Sequence, residues 1–219
     1  MSRGRSLCPG ADCDRRAVLC GLAGAVAWAL PRGIGAQPRV PLATVAVVPL
    51  GEFPAELLRE IEAGLRAELG VGVAVYPTVS LPARAYYAPR RRYRAERLLD
   101  ALRPLLRPPA TRMLGVTTVD ISTTAHGVHD WGVLGLGDLG GTACVLSTFR
   151  CRMNSPNEAQ SRWRMVTTSV HEVGHTLGLP HCPDVRCLMT DARGSVRTVD
   201  GTTGRLCGRC RRRLGLGPA

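Results

Sequence analysis

The chain has 219 residues, 45% of them apolar, at a mean hydropathy of +0.01, values that exclude a disordered chain and a multi-span membrane protein. The 29 basic residues are all arginine and face 17 acidic ones, so the net charge is +12, which favours encounters with anions without identifying one. The length suits one domain with an appendage, and nine cysteines and five histidines remain to be explained.

Residues 1–36 differ in composition from the rest. Arg15 and Arg16 precede residues 17–30, an apolar stretch rich in Ala and Gly. As a helix at 1.5 Å per residue that stretch spans about 21 Å, short of the ~30 Å hydrocarbon core, so it reads as the apolar region of a signal peptide and no stable membrane span is expected. Pro31 ends it, and residues 33–36 (GIGA) offer a small-residue cleavage region. Adjacent arginines before a mildly apolar run resemble a twin-arginine export signal. The expectation is a removable leader over 1–36, a single domain over 37–219, and a periplasmic or extracellular location. A mis-assigned start codon is the alternative, and would leave the protein in the cytoplasm.

Residues 40–50 (VPLATVAVVPL) predict a first strand, bracketed by Pro41 and Pro49. Over 54–69, Leu57, Leu58, Ile61, Leu65 and Leu69 recur at helical spacing, and Gly70 ends the helix. Residues 71–76 predict a second strand, and 77–90 a proline-punctuated loop. Helical period returns over 91–102 through Leu98, Leu99 and Leu102, with the arginines expected on the outer face. Residues 113–121 predict a third strand, and 131–148 two strand-like runs separated by glycines 137–141. Asn157 or Ser161 is expected to cap a long helix running to about 177. Strand and helix in alternation predict an α/β (α+β) fold, a mixed sheet covered by helices.

The chemistry lies between 171 and 210. His171-Glu172-Val173-Gly174-His175 is H-E-x-x-H in a helical context, and positions i and i+4 share one helix face, so both imidazoles reach one metal ion. Glu172 stands beside them as a carboxylate for a water molecule. Gly178 can end the helix in a left-handed turn, Pro180 cannot extend it, and His181 returns as a third nitrogen donor. Three neutral histidines leave one tetrahedral position open, the arrangement of a catalytic zinc. Met189 is placed for a Met-turn beneath the metal. Cys182 and Cys187, then Cys207 and Cys210, form two close pairs matching a closed structural zinc site; disulfides are the alternative. Arg186, Arg205, Arg209 and the arginines at 211–213 surround that site in sequence and would favour its negative charge.

From His171 to Cys210 the chain reads H-E-x-x-H-x-x-G-x-x-H-C-x(4)-C-x-M-x(17)-C-x-x-C. This resembles the archaemetzincin family of zinc peptidases. The resemblance implies His171, His175 and His181 as catalytic zinc ligands, Glu172 as general base, Met189 as the Met-turn residue, and Cys182, Cys187, Cys207 and Cys210 as ligands of a second, structural zinc. It extends more weakly upstream through Leu81-Pro82, Tyr86, Arg90 and Tyr93, with Arg92 where the family commonly has Gln. The implied fold is metzincin-like: a mixed twisted sheet, an active-site helix, a Met-turn and a C-terminal four-cysteine segment.

The expected function is therefore a zinc metallopeptidase that hydrolyses peptide bonds through a zinc-activated water, with two Zn2+ per chain, a peptide or protein substrate, and a monomeric state. A catalytically inactive zinc-binding module or a zinc-ribbon-like nucleic-acid binder is the alternative. Nucleic acid is not expected, because aromatic residues for base stacking are scarce beside the arginines at 90–94 and 211–213. The resemblance implies a peptide lying along an edge strand above the zinc, and residues 133–139 (VLGLGDL) are the candidate strand, whose glycines would let a substrate backbone approach. His126 and His129 are expected solvated in a glycine-containing loop after the third strand, with an approach to the cleft as the alternative, and Cys144 is expected in the core.

Overall fold

A computed structural model describes residues 43–217. The expected leader and cleavage region lie outside the described residues. The first strand forms as β1 (Thr44–Pro49) and the first helix as α1 (Ala55–Leu69), whose Leu57, Ile61, Leu65 and Leu69 are buried. Gly70 ends α1 at φ 64°, its N–H donating to the Arg66 carbonyl, and β2 (Gly72–Val75) follows. The loop over 77–90 holds a short strand β3 (Tyr86–Tyr87) between two single helical turns.

The helix expected from residue 91 begins later. Arg91 is left-handed at φ 51°, β4 (Arg92–Arg94) is extended, and α2 covers Ala95–Leu102. Arg97 is exposed on α2 as expected, but Arg92 and Arg94 precede the helix and do not sit on its outer face. Arg94 is buried, with hydrogen bonds to Glu96 (3.0 Å), to Thr124 (2.7 Å) and to the His129 carbonyl, while Arg92 pairs with Asp120 and Asp130. The third predicted strand also divides, into β5 (Arg112–Thr117) and β6 (Ile121–Ala125). Asp120 lies at the break and accepts two hydrogen bonds from Arg150. There follow β7 (Val128–Val133), β8 (Gly135–Gly137), β9 (Ala143–Ser147), α3 (Thr148–Arg152), α4 (Glu158–Thr176), α5 (Val196–Asp200) and α6 (Gly208–Arg213).

Five strands form one sheet in the order β2-β1-β5-β9-β8. All neighbours are parallel except the edge strand β8, which is antiparallel to β9. The central strands are buried on both faces, which explains their runs of Val, Leu and Ala. Val45, Val47, Leu114 and Leu146 face α1 and α4, whereas Ala46, Val48, Met113 and Val145 face α2. A second sheet, β3-β4-β6-β7, carries the β6–β7 hairpin, which turns through His126 and Gly127 at φ 53° and 74°. Among the described residues no helix is long and apolar enough to cross a membrane.

Gly64 sets the closeness of α1 to α4: a Cβ there would lie 2.3 Å from Val166 Cγ1. Gly64→Ala gains up to about 1 kcal/mol of helix propensity but overpacks a tight contact at about 1–3 kcal/mol. A Tm lowered by a few degrees in a thermal melt is the expected result, and an unchanged or raised Tm contradicts it.

Candidate active site and metal centres

The side-chain oxygen of Asn157 caps α4, accepting from the Gln160 N–H at 2.8 Å. Four turns later the helix presents His171, Glu172 and His175. The chain then reverses at Gly178 (φ 89°), where the N–H groups of Gly178 and Leu179 donate to the carbonyls of His175 (2.9 Å) and Gly174 (3.0 Å). Past Pro180, His181 comes back to the other two, with ring centroids 5.4 Å from His171 and 4.8 Å from His175.

Two backbone carbonyls fix the tautomers. His171 Nδ1 lies 2.9 Å from the Leu188 oxygen and His175 Nδ1 2.7 Å from that of Leu179, so each Nδ1 carries the proton and donates it. Both Nε2 atoms then present lone pairs, and they stand 3.0 Å apart. Two acceptors this close repel unless a cation lies between them, so this donor set fits a metal ion. Burial, reinforced by His175, holds His171 down to about 3, and burial also lowers His175, leaving both rings neutral as ligands must be. The donor nitrogens of all three histidines lie within 4.8 Å of one another. His181 is exposed, with Nδ1 3.8 Å from Asp191 Oδ2.

Glu172 is only 6% exposed, and burial pushes its carboxyl up to about 8. It seats on β8, within the run 133–139 expected as the substrate edge strand, and the glycines there also lie against the helix. A Cβ on Gly135 would come within 2.6 Å of Glu172 Cγ, and one on Gly137 within 2.7 Å of the Glu172 carbonyl. They make room for the helix and its carboxylate. Met189 is fully buried beneath α4, where a Cβ on Gly174 would meet its sulfur at 2.8 Å.

The four C-terminal cysteines form a second cluster. Cys182 and Cys207 sulfurs stand 3.7 Å apart, Cys187 and Cys210 sulfurs 3.8 Å, and all four lie within 4.8 Å of one another. A tetrahedron with Zn–S bonds of about 2.3 Å has an edge of about 3.8 Å, so these separations fit zinc, whereas a disulfide requires about 2.05 Å. The cysteines of the described residues are all free. The Cys182 N–H donates to the Met189 carbonyl at 2.8 Å, coupling this cluster to the loop beneath the histidines. Arg205 and Arg211, which surround the site in sequence, pair with buried Glu68 at 3.0 and 3.6 Å. Glu68 also accepts the Leu206 N–H and so ties α1 to the C-terminal segment. Nothing local in the sequence marks that role, since its partners lie more than a hundred residues away.

A cavity of about 440 Å3 opens beside the three histidines, with β8, α4 and residues 190–202 as walls. His126 and Trp131, ring centroids 5.3 Å apart, line it; the sequence offered no signal for Trp131. His129 packs on Tyr87, with ring centroids 5.5 Å apart, and does not line the cavity. Cys144 and Cys151 are core residues on β9 and α3. Arg90, Arg92 and Arg150 are drawn into ion pairs with Asp120 and Asp130.

Residues 56–215 match peptidase family M54. The archaemetzincin of Haloarcula marismortui is 36% identical over 177 residues, covering 78% of this chain and 98% of that relative. Among solved structures, the archaemetzincin of Methanopyrus kandleri superposes with a TM-score of 0.68 at 30% identity, over 79% of this chain and 93% of the other. That of Archaeoglobus fulgidus, complexed with malonate, gives 0.65 at 30% identity over 78% and 99%.

Proposed function

The chain belongs to peptidase family M54 and is a zinc metallopeptidase, and we propose that His171, His175 and His181 hold its catalytic zinc while Glu172 is the general base. Zinc bound there supplies Lewis acidity, which lowers the pKa of water from 15.7 to about 7 and polarises a carbonyl. The protein's own residues do the rest. The Leu188 and Leu179 carbonyls keep the two Nδ1 protons engaged and both Nε2 lone pairs aimed at one point. Glu172 takes the proton of the attacking water and passes it to the leaving amine. Its burial makes the carboxylate a stronger base than one in solvent and favours holding that proton until the amine departs. The outer edge of β8, which lines the cavity, is the track for an extended peptide.

Cys182, Cys187, Cys207 and Cys210 hold the structural zinc in this reading, and Met189 packs beneath the site without ligating. Residues 1–36 serve as a twin-arginine signal: four thiols must be loaded with zinc while reduced, and folded export protects them.

The observation that carries the reading is the pair of Nε2 atoms 3.0 Å apart, each backed by a carbonyl, beside a buried carboxylate. The test is digestion of a peptide library by the zinc-loaded chain, before and after a chelator strong enough to strip the histidine site. Cleavage that disappears on chelation, with the far-UV circular dichroism largely retained, is expected. A zinc-loaded chain that cleaves nothing, or cleavage that survives metal removal, overturns the reading.

A further inference from the structure

Among the described residues Arg164 is the largest fully buried side chain, 2% exposed, on the same helix as His171 and His175. A buried cation costs desolvation that an apolar side chain of similar volume would avoid. Four of the five N–H groups of its guanidinium are engaged. Nε and Nη2 donate to the two oxygens of Asp200, each at 2.7 Å, and Nη1 donates to the carbonyls of Cys151 (3.0 Å) and Met153 (2.9 Å). Gln160, one turn earlier, donates to Asp200 at 2.7 Å. Three elements meet on this one group: the end of α3, the middle of α4 and the end of α5.

The arrangement matters because of what flanks Asp200. Val199 and Thr202 line the substrate cavity, and Thr167 and Thr168 line it from α4. With five residues α5 is too short to hold itself by helix formation alone. The bidentate Arg164–Asp200 pair fixes both its distance and its angle to α4, which a single point contact does not.

We propose that Arg164 is a positioning residue for substrate selection, clamping α5 through Asp200 so that Val199 and Thr202 set the width of the cavity and hence the size of side chain it accepts. The proposal rests on the peptidase reading, and its test separates the two. The zinc-loaded full chain and its Asp200→Asn variant are compared on peptides that differ only in one side chain beside the scissile bond, graded from Ala through Leu to Phe. Asp200→Asn keeps the volume and one acceptor, so the Arg164 bonds to the α3 carbonyls survive. The expected result is a KM raised about tenfold for the side chains the native cavity prefers, kcat within twofold, and a flattened ratio of kcat/KM between large and small side chains. Amide exchange over residues 196–203 is expected to quicken at least tenfold, with residues 171–176 and the zinc content unchanged. A preserved selectivity ratio, a kcat loss equal across all peptides, or unchanged exchange at 196–203 each overturns the proposal. If the native chain cleaves none of the peptides, the peptidase reading has failed, and exchange alone then decides whether the clamp fixes α5.

Discussion

Glu172→Gln is expected to lower kcat by about 10²–10⁴-fold, the usual contribution of a positioned general base, while zinc content and fold are unchanged. The amide is isosteric and fits the space that Gly135 and Gly137 leave beside the helix. It cannot accept a proton at neutral pH, so the loss falls on the chemical step and KM moves little. Peptide turnover together with metal analysis of the variant checks this; turnover near the native rate would remove Glu172 from the mechanism. The sign of the pH dependence follows from the same group. Burial raises the carboxyl to about 8 in the protein alone, and a neighbouring cation favours the ionised form and lowers it. Only the carboxylate can act as base. Activity therefore rises with pH through the apparent pKa of Glu172, and the acid limb of kcat/KM is expected below pH 8.

Cys210→Ser is expected to drop bound zinc from two ions per chain to one and to unfold the C-terminal segment. Structural zinc sites of this kind bind with an apparent 10–16 kcal/mol, roughly the whole 5–15 kcal/mol stability of an ordinary domain. Without the metal, buried thiols such as Cys187, which burial pushes up to about 11, stay protonated and bring no compensating attraction. The damage should reach the histidine site, because Cys182 follows His181 directly and the Leu188 carbonyl that orients His171 follows Cys187. Limited proteolysis within residues 182–214 alongside zinc counting measures both effects. Retention of two zinc ions, or an unchanged digestion pattern, would show that the four sulfurs do not form a metal site.

The parts of this protein whose logic is local were legible in its sequence. The apolar period of α1, the reversal at Gly178 and the histidines at i and i+4 follow from helix geometry and backbone sterics, Asn157 is the one of two expected caps that forms, and the three histidines and four cysteines gather as their ligand-like spacing suggests. Tertiary structure decided wherever a charge found a distant partner. Arg92 and Arg94 leave the predicted helix because Asp120, Asp130 and the residues around Thr124 take their guanidinium groups. The predicted third strand breaks beside Asp120, which accepts from Arg150. Glu68 pairs with Arg205 and Arg211, Gly135 makes room for Glu172, and Arg164 reaches Asp200 across 36 residues. Periodicity records which face of an element is apolar, because covalent geometry fixes it residue by residue. Where an arginine is buried depends on which carboxylate the folded chain brings to it, and no local pattern carries that.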